Sequence, residues 1–255
     1  MKPTILLVPG HWHTIFHAQP LLATLTNRGY SARALQQTSV GLKPPRPSFA
    51  TDVSLITSSI LAELDEGKDV ALIMHSVAGI CGAEALNQVL SDIASKNDSG
   101  STQSKPRGRI VHVLLIAAYI FPAGVVMDAA TFVGPSNPGF SISDEPGTDK
   151  LLHMADPAHR FFNDLPPSLA QPFVEALEPT YYLHQGPVVS SETWRSLPCT
   201  YLVCERDNAV AVELQEGMAA AGKGMEVVRV DLGHSAYVGH PEVVGDVLEK
   251  LIASA

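Results

Sequence analysis

Three residues of this chain are best suited to covalent chemistry: a serine, an aspartate and a histidine, each placed just beyond a short apolar run. Ser76 follows Val70-Ala-Leu-Ile-Met-His75 and precedes the small residues Ala78 and Gly79. A buried strand that turns sharply into a helix at such a point pushes the hydroxyl outward and leaves the next backbone N–H at a helix N-terminus. That is the context of a nucleophile elbow, although Met74 and Ala78 stand where the G-x-S-x-G pattern has glycines. A hydroxyl attacks weakly until a base takes its proton and a third group orients the base. His234, in Leu232-Gly-His-Ser-Ala236, and Asp207, in Cys204-Glu-Arg-Asp-Asn208, supply both, giving the order Ser, Asp, His along the chain.

Each of the three also has a structural reading. Ser76 would cap a helix; Asp207 would cap one beginning near Ala209, with Glu205 as a competing acid; His234 would be a loop histidine, with His240 nearby. The shared position after strands favours the triad, because loops at the carboxyl ends of parallel strands converge on one edge. The first strand leads into Val8-Pro-Gly-His-Trp-His13, and an amide of this loop, that of His11, would join the amide of Val77 in an oxyanion hole. His11, His13 and His17 also invite a metal reading. With no clustered carboxylate or cysteine beside them, neither a metal nor a cofactor is expected.

The elements that must position these groups follow an alternating rhythm. Strands are expected at 5–8, 31–36, 69–74, 110–118, 200–204 and 225–231, and helices at 17–27, 50–64, 83–93, 209–221 and 241–253. The polar, breaker-rich stretch 95–108 reads as a surface loop. Between Phe121 and about Ser196 the rhythm stops, and Pro, Gly, aromatics and short helical pieces such as 168–177 take over. The expected fold is α/β, a mostly parallel doubly wound sheet with an inserted, mainly helical cap: core 1–120 and 197–255, cap 121–196.

Composition narrows the function classes. The 255 residues are 45% hydrophobic and 17% charged, enough for one domain with a large core. Seventeen Lys and Arg against 26 Asp and Glu give a net charge of -9, so no nucleic-acid or membrane partner is expected. Cys81, Cys199 and Cys204 match no zinc spacing and read as buried thiols of a reducing compartment. The apolar run at 5–8 is too short for a signal peptide, and no run approaches the ~18 apolar residues of a spanning helix, so a cytoplasmic protein is the expectation. Self-association into a homodimer is left open.

These residues carry a family resemblance. The chain resembles an α/β-hydrolase over nearly its whole length, and within that superfamily it is similar to the compact branch of plant methylesterases and hydroxynitrile lyases. Met74-His-Ser76, Asp69-Val70, Asp164-Leu-Pro-Pro, Tyr201-Leu-Val-Cys-Glu-Arg-Asp-Asn-Ala209 and Gly233-His-Ser resemble an uncharacterised, largely fungal group in which Met before the His-Ser pair is tolerated. The resemblance implies Ser76 as nucleophile, His234 as base, Asp207 as its orienter, and the His11 and Val77 amides as oxyanion donors. The lyases of that branch carry Thr where this chain has Gly10 and Lys where it has Ser235, so the resemblance disfavours cyanogenic cleavage.

A cap supplies shape and excludes water, so its aromatics and those of the loops should line the pocket. Trp12, His13, Tyr119, Phe161, Tyr181 and Tyr182 are the expected substrate contacts, drawn from a wider set that adds Phe121, Phe162, His184 and Trp194. Such a lining suits a medium-sized, uncharged, partly aromatic ester or lactone, and the resemblance points to secondary metabolism. The alternatives are a lyase, cyclase or isomerase using His234 as proton shuttle on the same fold, and a ligand receptor that turns over slowly.

Overall fold

The computed structural model describes residues 2–44, 46–98, 107–126, 139–143, 150–182, 189–222 and 224–254. The first half contains strands β1 (Thr4–Val8), β2 (Ser31–Ala34), β3 (Val70–His75) and β4 (Ile110–Ile116). Helices α1 (Ile15–Asn27), α2 (Phe49–Asp65) and α3 (Ala78–Asp98) connect them. The insertion follows: β5 (Phe140–Ile142), β6 (Leu151–Met154), α4 (Pro157–Phe161), α5 (Pro167–Glu175), β7 (Thr180–Tyr181) and one 3₁₀ turn at Thr193–Arg195. The chain then returns through β8 (Cys199–Cys204), α6 (Val212–Ala221), β9 (Glu226–Val230), α7 (Ala236–Gly239) and α8 (Pro241–Ala253).

Six strands form one parallel sheet in the order β2-β1-β3-β4-β8-β9. Alternate side chains of a strand point to opposite faces, and here both faces are buried. Leu6, Val8, Leu72, Met74, Val113, Leu115, Tyr201 and Val203 pack with α2, α3 and α6 on one side. Ile5, Leu7, Ala71, Ile73, Leu114, Ile116, Leu202 and Cys204 pack with α1, α7 and α8 on the other. The strand order reverses between β1 and β3, whose carboxyl ends lie side by side with Val8 opposite Met74. That is the crevice at which an open parallel sheet offers a site.

The insertion combines α4 and α5 with a three-stranded antiparallel sheet, β5-β6-β7. The sequence pattern reveals the helices but not these strands, which are only two to four residues long. Helix α3 starts five residues earlier than its apolar pattern suggests and runs into the stretch expected to be loop. Its early glycines are places of close approach rather than breaks. A Cβ on Gly79 would sit 2.5 Å from the Tyr119 carbonyl, and one on Gly82 would sit 2.1 Å from Met74 Sδ.

The second contact explains how Met74 occupies a position where a glycine is usual. The thioether fills the space that Gly82 leaves on the facing helix, so the small residue has moved from strand to helix. Gly82→Ala is therefore expected to lower stability by about 1–3 kcal/mol in urea unfolding through overpacking. Adding Met74→Ala should recover part of that loss, and strictly additive losses would show that the two residues do not compete for one space.

Candidate active site

At the end of β3 the backbone changes hand. Ser76 has φ +57°, a left-handed conformation that costs a non-glycine residue on the order of 1–3 kcal/mol unless its surroundings enforce it. They do so with three backbone hydrogen bonds. The Ser76 amide donates to the Ile116 carbonyl at 3.1 Å, and the Ser76 carbonyl accepts from the amides of Gly79 at 3.1 Å and Tyr119 at 2.9 Å. Val77 follows, its amide making no hydrogen bond among the described residues, at the start of the 21-residue α3. The loop after β1 meets this turn from the neighbouring strand. A Cβ on Gly10 would lie 2.7 Å from Ser76 Cβ, so only glycine lets the two loops approach so closely.

After β8, the Asp207 carboxylate is buried and makes four hydrogen bonds. Its Oδ1 accepts from the amides of Ala209 at 2.7 Å and Val210 at 2.8 Å. Its Oδ2 accepts from Gln215 Nε2 at 3.0 Å and from His234 Nδ1 at 2.7 Å. The turn that Asp207 organises is not the start of a helix, since α6 begins only at Val212. Gln215 was not visible as a site residue in the sequence. It sits inside α6 and also accepts the Cys204 amide at 3.0 Å, tying the acid's loop to the end of β8. The competing groups lie elsewhere: Glu205 is exposed, and His240 Nε2 faces Asp164 Oδ2 at 3.3 Å.

His234, its Nδ1 engaged by Asp207, lines a pocket at this sheet edge. His234 and Ser76 both line this pocket, together with His11, Trp12, Val77, Tyr119, Phe140, Leu152, Phe161, Ala209 and Val210. Three of the expected substrate contacts, Trp12, Tyr119 and Phe161, are therefore at the pocket wall. Trp12, at φ +62°, is tied to the insertion on every polar edge. Its amide donates to Thr180 Oγ1 at 2.8 Å, its carbonyl accepts from the Glu178 amide at 2.9 Å, and its indole N–H donates to the Leu152 carbonyl at 3.3 Å. Asp164 ties the insertion to the histidine loop by accepting the Gly233 amide at 2.8 Å.

The other three are placed differently. His13 is buried behind the loop, between the His11 carbonyl at 2.8 Å and Ser235 Oγ at 2.9 Å, because both ring nitrogens find internal partners. Tyr181 lies on β7 against Arg46, and Tyr182 is buried in the core beside α2 and α3, so neither lines the pocket. Phe162 and Trp194 are core residues and Phe121 stacks on Tyr119, while His184 lies outside the described residues. Phe140, Leu152, Ala209 and Val210 were missed because nothing in their local pattern separates a pocket wall from ordinary core. Among the described residues, no group of His, Cys, Asp and Glu is arranged to hold a metal ion.

Behind the pocket lies a row of buried imidazoles, with ring centres 4.8 Å apart for His17 and His13, 5.1 Å for His13 and His75, and 4.5 Å for His75 and His234. Burial, followed by repulsion from neighbouring rings, pushes His13 and His75 well below the usual histidine range. Burial also lowers His17. The hydrogen bonds agree with neutral rings. His75 Nδ1 accepts from the Gly10 amide at 3.2 Å and its Nε2–H donates to the His234 carbonyl at 3.2 Å. His17 Nδ1 accepts from the Thr14 amide at 3.0 Å and its Nε2–H donates to the Phe173 carbonyl at 2.9 Å.

A profile of the Alpha/beta hydrolase family matches residues 5–247. The chain belongs to that family. It is 28% identical over 246 residues to the alpha/beta hydrolase nvfD of Aspergillus novofumigatus, covering 96% of this chain and 94% of the relative. Among solved structures it superposes on a methylesterase from Arabidopsis with a TM-score of 0.74 at 15% identity, covering 100% of both chains. Tomato methylketone synthase I, complexed with 2-tridecanone, gives 0.77 at 14% identity, covering 100% of this chain and 99% of that one. The fungal relative and the plant methylesterase fold both agree with the resemblance read from the sequence. No helix among the described residues is long and apolar enough to cross a membrane.

The buried imidazoles set an acid limit on the fold. In the unfolded chain such rings take up a proton near pH 6.5, whereas in the native state His13 and His75 do so only well below it. The unfolded state therefore binds more protons in that window, so this stability is complete above about pH 6.5 and declines as pH falls toward the folded-state values. Each ring adds up to about 1.4 kcal/mol per pH unit to the slope. Urea midpoints from pH 7 to 5 should fall steeply, and less steeply in His13→Gln. A midpoint independent of pH over that range would rule this out.

Proposed function

We propose that the protein is a serine hydrolase that cleaves a carboxylic ester or lactone of a medium-sized, partly aromatic small molecule. The observation that carries this reading is one pocket lined by both a left-handed serine at a strand–helix turn and a histidine whose far nitrogen is held 2.7 Å from a buried carboxylate. In this reading His234 takes the proton of Ser76 as Oγ forms a bond to the substrate carbonyl carbon. The negative charge that develops on the carbonyl oxygen is met by the amides of His11 and Val77. Collapse expels the alkoxide, which takes the proton from His234 and leaves an acyl group on Ser76. A water molecule, deprotonated by His234, then attacks that acyl carbon, releasing the acid and restoring the hydroxyl. Asp207 holds the imidazole in the tautomer that makes Nε2 the base and stabilises the imidazolium.

The pocket wall supports the substrate class. Trp12, Tyr119, Phe140, Leu152, Phe161 and Val210 offer rings and aliphatic surface, and no Asp, Glu, Lys or Arg is among the described lining residues. Two positions support hydrolysis over cyanogenic cleavage: Gly10 has no room for a larger residue against Ser76, and Ser235 Oγ is engaged with His13 rather than presenting a cation to a leaving group. The resemblance to fungal hydrolases supports a role in secondary metabolism, and the buried thiols of Cys81, Cys199 and Cys204 support a cytoplasmic setting.

Intact-mass analysis after fluorophosphonate treatment is expected to show one adduct on the wild type, mapped to Ser76, and none on Ser76→Ala. Hydrolysis of p-nitrophenyl esters should fall at least ~1,000-fold in Ser76→Ala and on the order of 10³–10⁴-fold in Asp207→Asn, which presents the wrong partner to Nδ1. Absence of an adduct on folded wild type would overturn the nucleophile and favour proton-transfer chemistry at His234. Native activity that survives Ser76→Ala would do the same.

A further inference from the structure

We propose that His75 and His13 are positioning residues, a pair of neutral imidazole staples that set the oxyanion loop at its working distance from the base. The inference rests on the serine-hydrolase reading above and extends it to two histidines that the chemistry itself does not use.

The geometry is reciprocal. His11, the oxyanion donor of the β1 loop, is bracketed by the Gly10 amide on one side and its own carbonyl on the other. His234 is bracketed by its own carbonyl and by the Ser235 hydroxyl. His75 joins the first of each pair, from the Gly10 amide to the His234 carbonyl, at 3.2 Å on both sides. His13 joins the second of each pair, from the His11 carbonyl at 2.8 Å to Ser235 Oγ at 2.9 Å. The two rings thus span the same two loops with opposite polarity. His75 accepts from the oxyanion loop and donates to the base loop; His13 donates to the oxyanion loop and accepts the Ser235 hydroxyl proton. Among the described residues no backbone–backbone hydrogen bond joins residues 10–13 to residues 233–235, and the two imidazoles bridge them.

Both rings are closed off from solvent, His75 at 0% and His13 at 1% exposure. The Tyr237 ring stands edge-on to His75 at 5.0 Å, and Phe161 packs on His13 at 4.8 Å. Both rings are held among aromatic neighbours. A second proton on His75 would set Nδ1–H against the Gly10 N–H, donor to donor, and push the loop away from Ser76. The lowered proton affinity of both rings agrees with that arrangement. It also gives Ser235 a role: it supplies the one donor that His13 lacks.

The same fluorophosphonate reaction tests this, read now as a rate, because its phosphoryl oxygen must enter the oxyanion hole while His234 accepts the Ser76 proton. His75→Phe keeps a ring but removes both hydrogen bonds, and it should label about 100-fold more slowly, the scale of losing an oxyanion donor. His75→Gln, which retains one acceptor and a donor, should return to within about tenfold of wild type. Ser235→Ala should slow labelling about five- to tenfold. For p-nitrophenyl esters the loss should lie in kcat, with KM within about threefold. If wild type does not label, the serine-hydrolase reading fails before the staples are at issue. If wild type labels and Ser235→Ala and His75→Phe label as fast, or lose only in KM, the positioning role is overturned. Ser235→Ala deletes a single oxygen and decides the matter even where His75→Phe does not fold.

Discussion

The site depends on one backbone conformation, the left-handed turn at Ser76. A fully buried parallel strand ends there and a 21-residue helix begins two residues later, leaving the side chain no direction but outward. The strain is distributed over neighbours that must be small. Gly10 admits the β1 loop, Gly79 admits the Tyr119 carbonyl, and Gly82 makes room for Met74. The carbonyl of Ile116 at the end of β4 and the amide of Tyr119 in the turn after it hold the Ser76 peptide from the neighbouring strand. Such strain persists only where the surroundings over-determine it, which is the usual condition of a reactive residue.

Electrostatics behind the site follows from burial. Asp207 is a buried charge, and four donors surround it, two of them backbone amides, so the carboxylate is compensated without a cationic side chain. The histidines solve a different problem. Buried imidazole is tolerated when neutral and when both nitrogens are satisfied, and His13, His17 and His75 each pair one donor with one acceptor. Neutral rings add no charge beside His234. The insertion contributes walls to the same end. Trp12 is bonded to β6 and to the segment around β7, while Asp164 holds the Gly233 amide, so the insertion is anchored to both the loop after β1 and the loop after β9.

Much of this was legible in the linear chain. The apolar runs of β1, β3, β4 and β8 announce strands buried on both faces, and the order of Ser76, Asp207 and His234 after β3, β8 and β9 points to a shared edge. Sharp turns and strand ends are local events, readable from hydrophobic period and from small residues. The short strands of the insertion were not legible, since a pair of residues such as Thr180–Tyr181 carries no measurable alternation. Nor was the early start of α3, where glycines that would break an exposed helix are instead required by a close neighbour.

By itself, then, the sequence determined the doubly wound sheet, the place of Ser76, Asp207 and His234 beyond strand ends, and the family resemblance, because these follow from periodicity and from order along the chain. Tertiary structure decided which histidines face the pocket and which are buried behind it. His11 and His13 are two residues apart and chemically identical, yet one lines the pocket and the other lies behind it, bonded to Ser235 from the far end of the chain. It decided between Asp207 and Glu205, and it brought Gln215 and His75 into the site. The physical reason is common to all of these: a hydrogen-bond partner on another element, from 8 to 222 residues away, leaves no trace in local pattern, and only folding assigns each buried donor its acceptor.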